Sequence, residues 1–163
     1  MEKISSLIKK LADDSHNYPH LANLTFLKGS YFAWNHTNIT ITYDASDMQS
    51  PVLLLHEYGH AILNHQSYAT DIRLLSMERD AWDIAIKNGK LFGVNIKLTQ
   101  IEDALDTYRD WMHARSLCPK CDATGLQSAP NQFTCVACQN TWKVNDARHC
   151  ALRRYDTTQK IAP

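Results

Sequence analysis

Residues 51–65 read PVLLLHEYGHAILNH, and the rest of the chain is best read outward from them. His56-Glu57-Tyr58-Gly59-His60 is an HExxH pattern. On a helix, residues four apart share a face, so the imidazoles of His56 and His60 fall side by side, within reach of one zinc ion. Glu57 is next to them on the wheel. It can reach a water on that metal without ligating it, which makes it the candidate catalytic base. Ser50 is placed to be an N-cap and Pro51 to be the first helical residue. Val52, Leu53, Leu54, Leu55, Ala61, Ile62 and Leu63 leave hardly any polar face, so the helix is expected to be buried. Gly59 lets another backbone approach closely. A bare HExxH arises readily by chance. Burial gives it weight, because two imidazoles and a carboxylate in an apolar helix need a metal or a partner.

Upstream, Ile4, Leu7, Ile8 and Leu11 stand at helical spacing, and Tyr18-Pro19 breaks the helix they predict over residues 1–14. Residues 24–27 and 30–34 are short β-like runs around Lys28-Gly29, which predicts a hairpin. In residues 38–44, Ile39, Ile41 and Tyr43 alternate with Thr40 and Thr42, a strand whose edge could pair with an extended peptide. Downstream, residues 71–88 predict a helix ended by Asn88-Gly89. Its wheel gathers Arg79, Asp80, Asp83 and Lys87 on one side and Ala81, Trp82 and Ala85 on the other. Glu78 falls within the apolar arc, where a carboxylate needs a partner, and is the candidate third ligand. Asp80 competes for that role but points to the polar side. Thr99 and Glu102 form a potential capping box for a last helix running to about Arg115.

The 163 residues suffice for one ordinary domain and a small module, and 44% hydrophobic content supports a packed core. There is no long apolar run, and Glu2, Lys3, Lys9 and Lys10 interrupt the start, so a soluble, cytoplasmic protein without membrane association is expected. Residues 1–115 hold 11 basic and 14 acidic side chains, whereas residues 116–163 hold 6 and 3. The second part is thus the candidate contact for an anionic partner.

All five cysteines lie in that second part. Cys118/Cys121 and Cys135/Cys138 are two CxxC knuckles 13 residues apart, the spacing of a structural four-thiolate zinc site in a zinc ribbon. So small a module would draw its folding energy from the metal. Lys143, Arg148, Arg153 and Arg154, interleaved with Trp142 and Tyr155, suggest contact with single-stranded nucleic acid. Cys150 is left over beside His149, and thiolate is a favoured zinc ligand. One reading is that Cys150 folds back to block the open zinc position as an inhibitory ligand. A plain cysteine is the simpler reading.

A strand, a polar loop, HEYGHAILNH and then Glu78-Arg79-Asp80-Ala81-Trp82 together resemble the ImmA/IrrE family of bacterial metallopeptidases. The resemblance covers roughly residues 20–90, with Trp82 where asparagine is commoner. It implies zinc on His56, His60 and Glu78, Glu57 as base, and cleavage of a helix-turn-helix repressor in a stress or anti-phage switch, as in the CapP-like subset. The ribbon also resembles that of SprT-like proteases, which act on DNA-bound proteins. Those take a third histidine, and none stands between His65 and His113 here.

The expectation is therefore an α+β chain with two zinc ions. A zincin-like metallopeptidase domain of residues 1–115 would comprise a helix, a small antiparallel sheet, the HExxH helix and the Glu78 helix. A zinc ribbon and basic tail would follow in residues 116–163. The alternative is a non-enzymatic, zinc-dependent nucleic-acid-binding module. Tyr58, Tyr68, His65 and Tyr108 are all open as oxyanion-stabilising groups, and His65 reads as a helix-end residue.

Overall fold

The structure, a computed structural model, describes residues 2–148 and 150–157. Their internal contacts divide them into two compact units. One holds the residues up to 67 and 76–102; the other holds 68–75 and the residues from 103 onward. The described chain is α+β, with four α-helices and two small sheets. No helix among the described residues is long and apolar enough to cross a membrane.

In the first unit, α1 (Glu2–Ser15) buries Ile4, Leu7 and Leu11 and half-buries Ile8, as its periodicity requires. Pro19 then opens a single 3-10 turn, Pro19–Leu21. Three strands follow: β1 (Thr25–Lys28), β2 (Ala33–Asn35) and β3 (Thr40–Tyr43). The expected hairpin at Lys28-Gly29 does not form, and the sheet is mixed instead of antiparallel. Its order is β1-β3-β2, with β1 parallel and β2 antiparallel to β3. Gly29 prolongs β1, its N–H bonding the Tyr43 carbonyl at 2.8 Å. A Cβ there would come within 2.7 Å of the Thr42 methyl, so this glycine serves close packing. The reversal lies between β2 and β3, at residues 35–39. There the Asn35 side chain accepts the Thr37 and Asn38 N–H groups at 3.0 and 3.1 Å, and Ile39 takes a φ of 50°. Strand β3, expected to offer an edge, is therefore the central strand, and β2 is an edge.

Helix α2 (Ser50–Ile62) carries HEYGH and buries nine of its residues, Val52, Leu54, Leu55 and Tyr58 among them. Pro51 stands in its first turn as expected. Ser50 does not cap it: the serine is already helical and buried, its hydroxyl without a partner among the described residues.

Helix α3 (Asp71–Phe92) runs a turn beyond Asn88-Gly89. Gly89 stays helical, and the chain leaves at Gly93, φ 76°, as the Val94 N–H closes on the Gly89 carbonyl at 2.8 Å. Where α2 crosses α3, a Cβ on Gly59 would strike the Ala81 carbonyl, so the glycine sets how closely the helices approach. Helix α4 (Leu98–Ser116) starts without the Thr99/Glu102 box; instead Gln100 Oε1 accepts the Lys97 N–H at 3.0 Å.

The second unit holds a four-stranded antiparallel sheet, β4 (Gly125–Ala129), β5 (Gln132–Cys135), β6 (Thr141–Val144) and β7 (Arg154–Asp156), ordered as in sequence. Its core is Cys118, Phe133, Cys135, Trp142 and Val144, with the Phe133 and Trp142 rings stacked 5.6 Å apart. Within this unit Arg115 ties the start of α3 to the sheet. Its buried guanidinium holds the Asp71 carboxylate at 2.9 and 3.2 Å, Asn131 Oδ1 at 2.6 Å, and the Asn145 and Asp146 carbonyls at 2.8 Å.

Candidate metal centre

Helix α2 brings His56 and His60 onto one face by their four-residue spacing, and α3 brings Glu78 against them. All three are buried. His56 Nε2 lies 3.0 Å from Glu78 Oε2, His60 Nε2 lies 3.5 Å from the same oxygen, and the two Nε2 atoms are 3.2 Å apart. Donors held 2.0–2.1 Å from one small tetrahedral cation would stand ~3.3 Å from each other. Hydrogen bonds alone cannot satisfy this triangle. If both Nε2 atoms carry hydrogen they oppose each other, and if only one does, at least one contact lacks a proton. A cation satisfies all three lone pairs at once, so the residues present could hold a metal ion.

Burial by itself would raise the Glu78 carboxyl. The His56 and His60 contacts overcome that and hold it well below the ordinary carboxylate range. Burial would lower His60, but Glu78, with a smaller contribution from Glu57, raises it. Asp80, the competing ligand, is paired with Arg79 at 2.9 Å and stays outside the set.

Glu57 is not among the ligand group. Its Oε2 accepts the backbone N–H of Trp34, on edge strand β2, at 2.7 Å. The Trp34 indole N–H reaches the His65 carbonyl at 2.9 Å. The two histidines are steadied differently. The His56 ring stacks on Trp82, centroids 4.1 Å apart, and its Nδ1 has no hydrogen-bond partner among the described residues. His60 Nδ1 meets His65 Nδ1 at 2.9 Å.

The sequence pattern did not reveal the parts played by Trp34, Trp82 and His65. Trp82 was legible only as an apolar-arc residue. His65 had a readable signal: it follows His60 by five residues and an asparagine by one, the spacing of a left-handed helix cap. Of the candidate oxyanion groups in this unit, Tyr58 is fully buried and donates to Asp14 Oδ2 at 2.7 Å. Burial first, and the Asp14 carboxylate second, push its phenol far above the ordinary range, so it is engaged elsewhere. Tyr68 and Tyr108 belong to the other unit.

In the second unit the Sγ atoms of Cys118, Cys121, Cys135 and Cys138 converge, with no disulfide among them. Separations of 3.7, 3.6 and 3.4 Å approach the ~3.8 Å edge of a tetrahedron with 2.3 Å metal–sulfur bonds. The N–H groups of Cys138 and Ala137 lower the Cys135 thiol despite its burial, which favours the thiolate a metal needs. This cluster could be a zinc ribbon.

The basic tail is less available than its sequence suggests. Trp142, expected to stack on bases, is 0% exposed in the sheet core and cannot do so. Arg148 lies over the Tyr108 ring at 3.9 Å, and Arg154 donates to the Ala114 carbonyl. Lys143, Arg153 and Tyr155 are exposed. Cys150 belongs to neither ligand set; its exposed thiol accepts the Asn145 amide at 3.3 Å. His149 lies outside the described residues.

No protein-family model, curated protein or solved structure matches this chain.

Proposed function

We propose that this chain is a zinc metalloendopeptidase of the zincin type, with zinc on His56, His60 and Glu78 and a second, structural zinc on the four cysteines. One observation carries the reading: three buried donor atoms converge 3.0–3.5 Å apart, while the adjacent carboxylate of Glu57 stays out of the set. Zinc so held would supply Lewis acidity, polarising a peptide carbonyl and bringing a water's pKa to about 7. Glu57 would take a proton from the attacking water and return it to the leaving amine. Trp34 N–H fixes Oε2, which leaves Oε1 to carry the proton. A strand residue turns its N–H and C=O to the same side, so the Trp34 carbonyl faces outward from β2 as well. An extended substrate segment would pair along β2, and not along β3. On the resemblance to ImmA/IrrE proteins, the substrate would be a helix-turn-helix repressor whose cleavage releases a stress or anti-phage response.

The test separates metal from chemistry. Glu78→Ala should remove one of two zinc equivalents by elemental analysis. Glu57→Gln should keep both and slow cleavage of the repressor encoded nearest its gene by about 10²–10⁴-fold. Full metal in Glu78→Ala, or equal cleavage by Glu57→Gln, overturns the reading.

A further inference from the structure

Helix α2 ends in a cap that places an imidazole against an imidazole. Leu63 is its last residue near helical geometry, and Asn64 takes φ 50°, the left-handed position that asparagine tolerates. The Asn64 N–H then closes on the Ala61 carbonyl and the His65 N–H on the His60 carbonyl, both at 3.0 Å. In this cap the residue after the left-handed one lies over the residue five before it, and the pair is usually apolar. Here it is His65 over His60, ring centroids 4.9 Å apart and Nδ1 to Nδ1 2.9 Å. The backbone of His65 is pinned from the other side by the Trp34 indole on its carbonyl, 2.9 Å away.

We infer that His65 is the positioning residue of His60: its Nδ1 accepts the Nδ1–H of His60 and so keeps His60 Nε2 turned to the metal as a lone pair. The inference rests on the metal reading of His56, His60 and Glu78. Two ring nitrogens 2.9 Å apart need one proton between them. A ligating Nε2 must be bare, which leaves the His60 proton on Nδ1, and His65 must then be bare at Nδ1. Metal-ligating histidines ordinarily give this second N–H to a carboxylate, a backbone carbonyl or water. A ring nitrogen in that place holds the His60 ring and its tautomer without the negative charge that a carboxylate would add to a centre that already has Glu78. His56 shows the contrast: its orientation is set by stacking on Trp82, with no such acceptor among the described residues.

Two substitutions separate acceptor from bulk. His65→Phe keeps a ring on His60 and loses the acceptor. His65→Asn loses the ring and keeps an oxygen near the place of Nδ1. The measurement is zinc retention by the full chain against a competing chelator, with the four-cysteine zinc as internal reference and Glu78→Ala as the variant lacking the site. The expected result is a 10–100-fold weaker site in His65→Phe, as for other outer-shell changes, with affinity largely restored in His65→Asn. Wild-type affinity in His65→Phe overturns the inference, and so does equal weakening of both variants, which would make the ring's volume the cause. Should wild type and Glu78→Ala retain the same zinc, the metal reading itself fails, and that failure is seen before His65 is touched.

Discussion

The two clusters that could hold a metal are built on opposite principles. His56, His60 and Glu78 project from α2 and α3, which approach closely at Gly59 against Ala81 and which also bury Leu54, Leu55 and Met77. Take the three ligands away and an apolar core remains. In the second unit two of the five core residues, Cys118 and Cys135, are themselves candidate ligands. There the candidate ligands are part of the core itself. A site hung on a formed core can lose its ion and keep its shape, whereas a core made of ligands cannot.

The largest expected effect tests that difference. Structural zinc on four cysteines is worth about 10–16 kcal/mol of apparent binding free energy, which in so small a module is folding free energy. Cys135→Ser, or a strong chelator, should therefore abolish hydrogen-exchange protection across β4–β7. Glu78→Ala should leave protection in α2 and α3 close to wild type. Equal loss in both regions would break the comparison, because the first unit would then also depend on its ion.

Gly59→Ala comes next and leaves the ligands alone. The added methyl meets the Ala81 backbone, not a side chain that can swing aside. Overpacking of this kind costs about 1–3 kcal/mol, and rigid backbone places the change at the upper end. Urea unfolding should show it, together with weaker metal retention, since separating α2 from α3 moves Glu78 from the histidines. A neutral result would mean that the helices can part without cost and that the first unit's core is looser than its packing implies.

What the sequence made legible follows the same division. HEYGH and the paired CxxC knuckles encode their geometry locally, by helix period and by knuckle spacing, so the convergence of each set could be read without a structure. Glu78 could be reached because a carboxylate inside an apolar arc is an anomaly that needs a partner. The sheet was not legible in the same way. Lys28-Gly29 carries a turn signal, but Gly29 is there for its contact with Thr42, and the reversal depends on Asn35 side-chain bonds that no hydrophobic pattern reports. Trp142 read as a surface aromatic because alternation in a four-residue strand cannot say which face is covered. The part played by Trp34 depends on contacts 23 and 31 residues away, beyond any local period.

The smallest expected effect falls on Trp34, and it sharpens the view that the first unit's site is held by its surroundings. The residue uses two donors: its backbone N–H holds Glu57, and its indole N–H holds the His65 carbonyl. Trp34→Phe removes only the second. A single neutral hydrogen bond is worth about 0.5–1.5 kcal/mol net, and the partly buried carbonyl left behind can still find water. The expected loss is therefore ~1 kcal/mol by circular-dichroism urea melts, which avoid the missing fluorophore. Zinc retention at the histidine site should fall by less than in His65→Phe, because the helix cap still holds His65 through its own N–H on His60. The four-cysteine zinc should not change. If Trp34→Phe weakened the histidine site as much as His65→Phe, the cap would contribute little and β2 would be what sets His65. If it changed neither stability nor retention, the indole bond would be idle, and the cap alone would carry the placement.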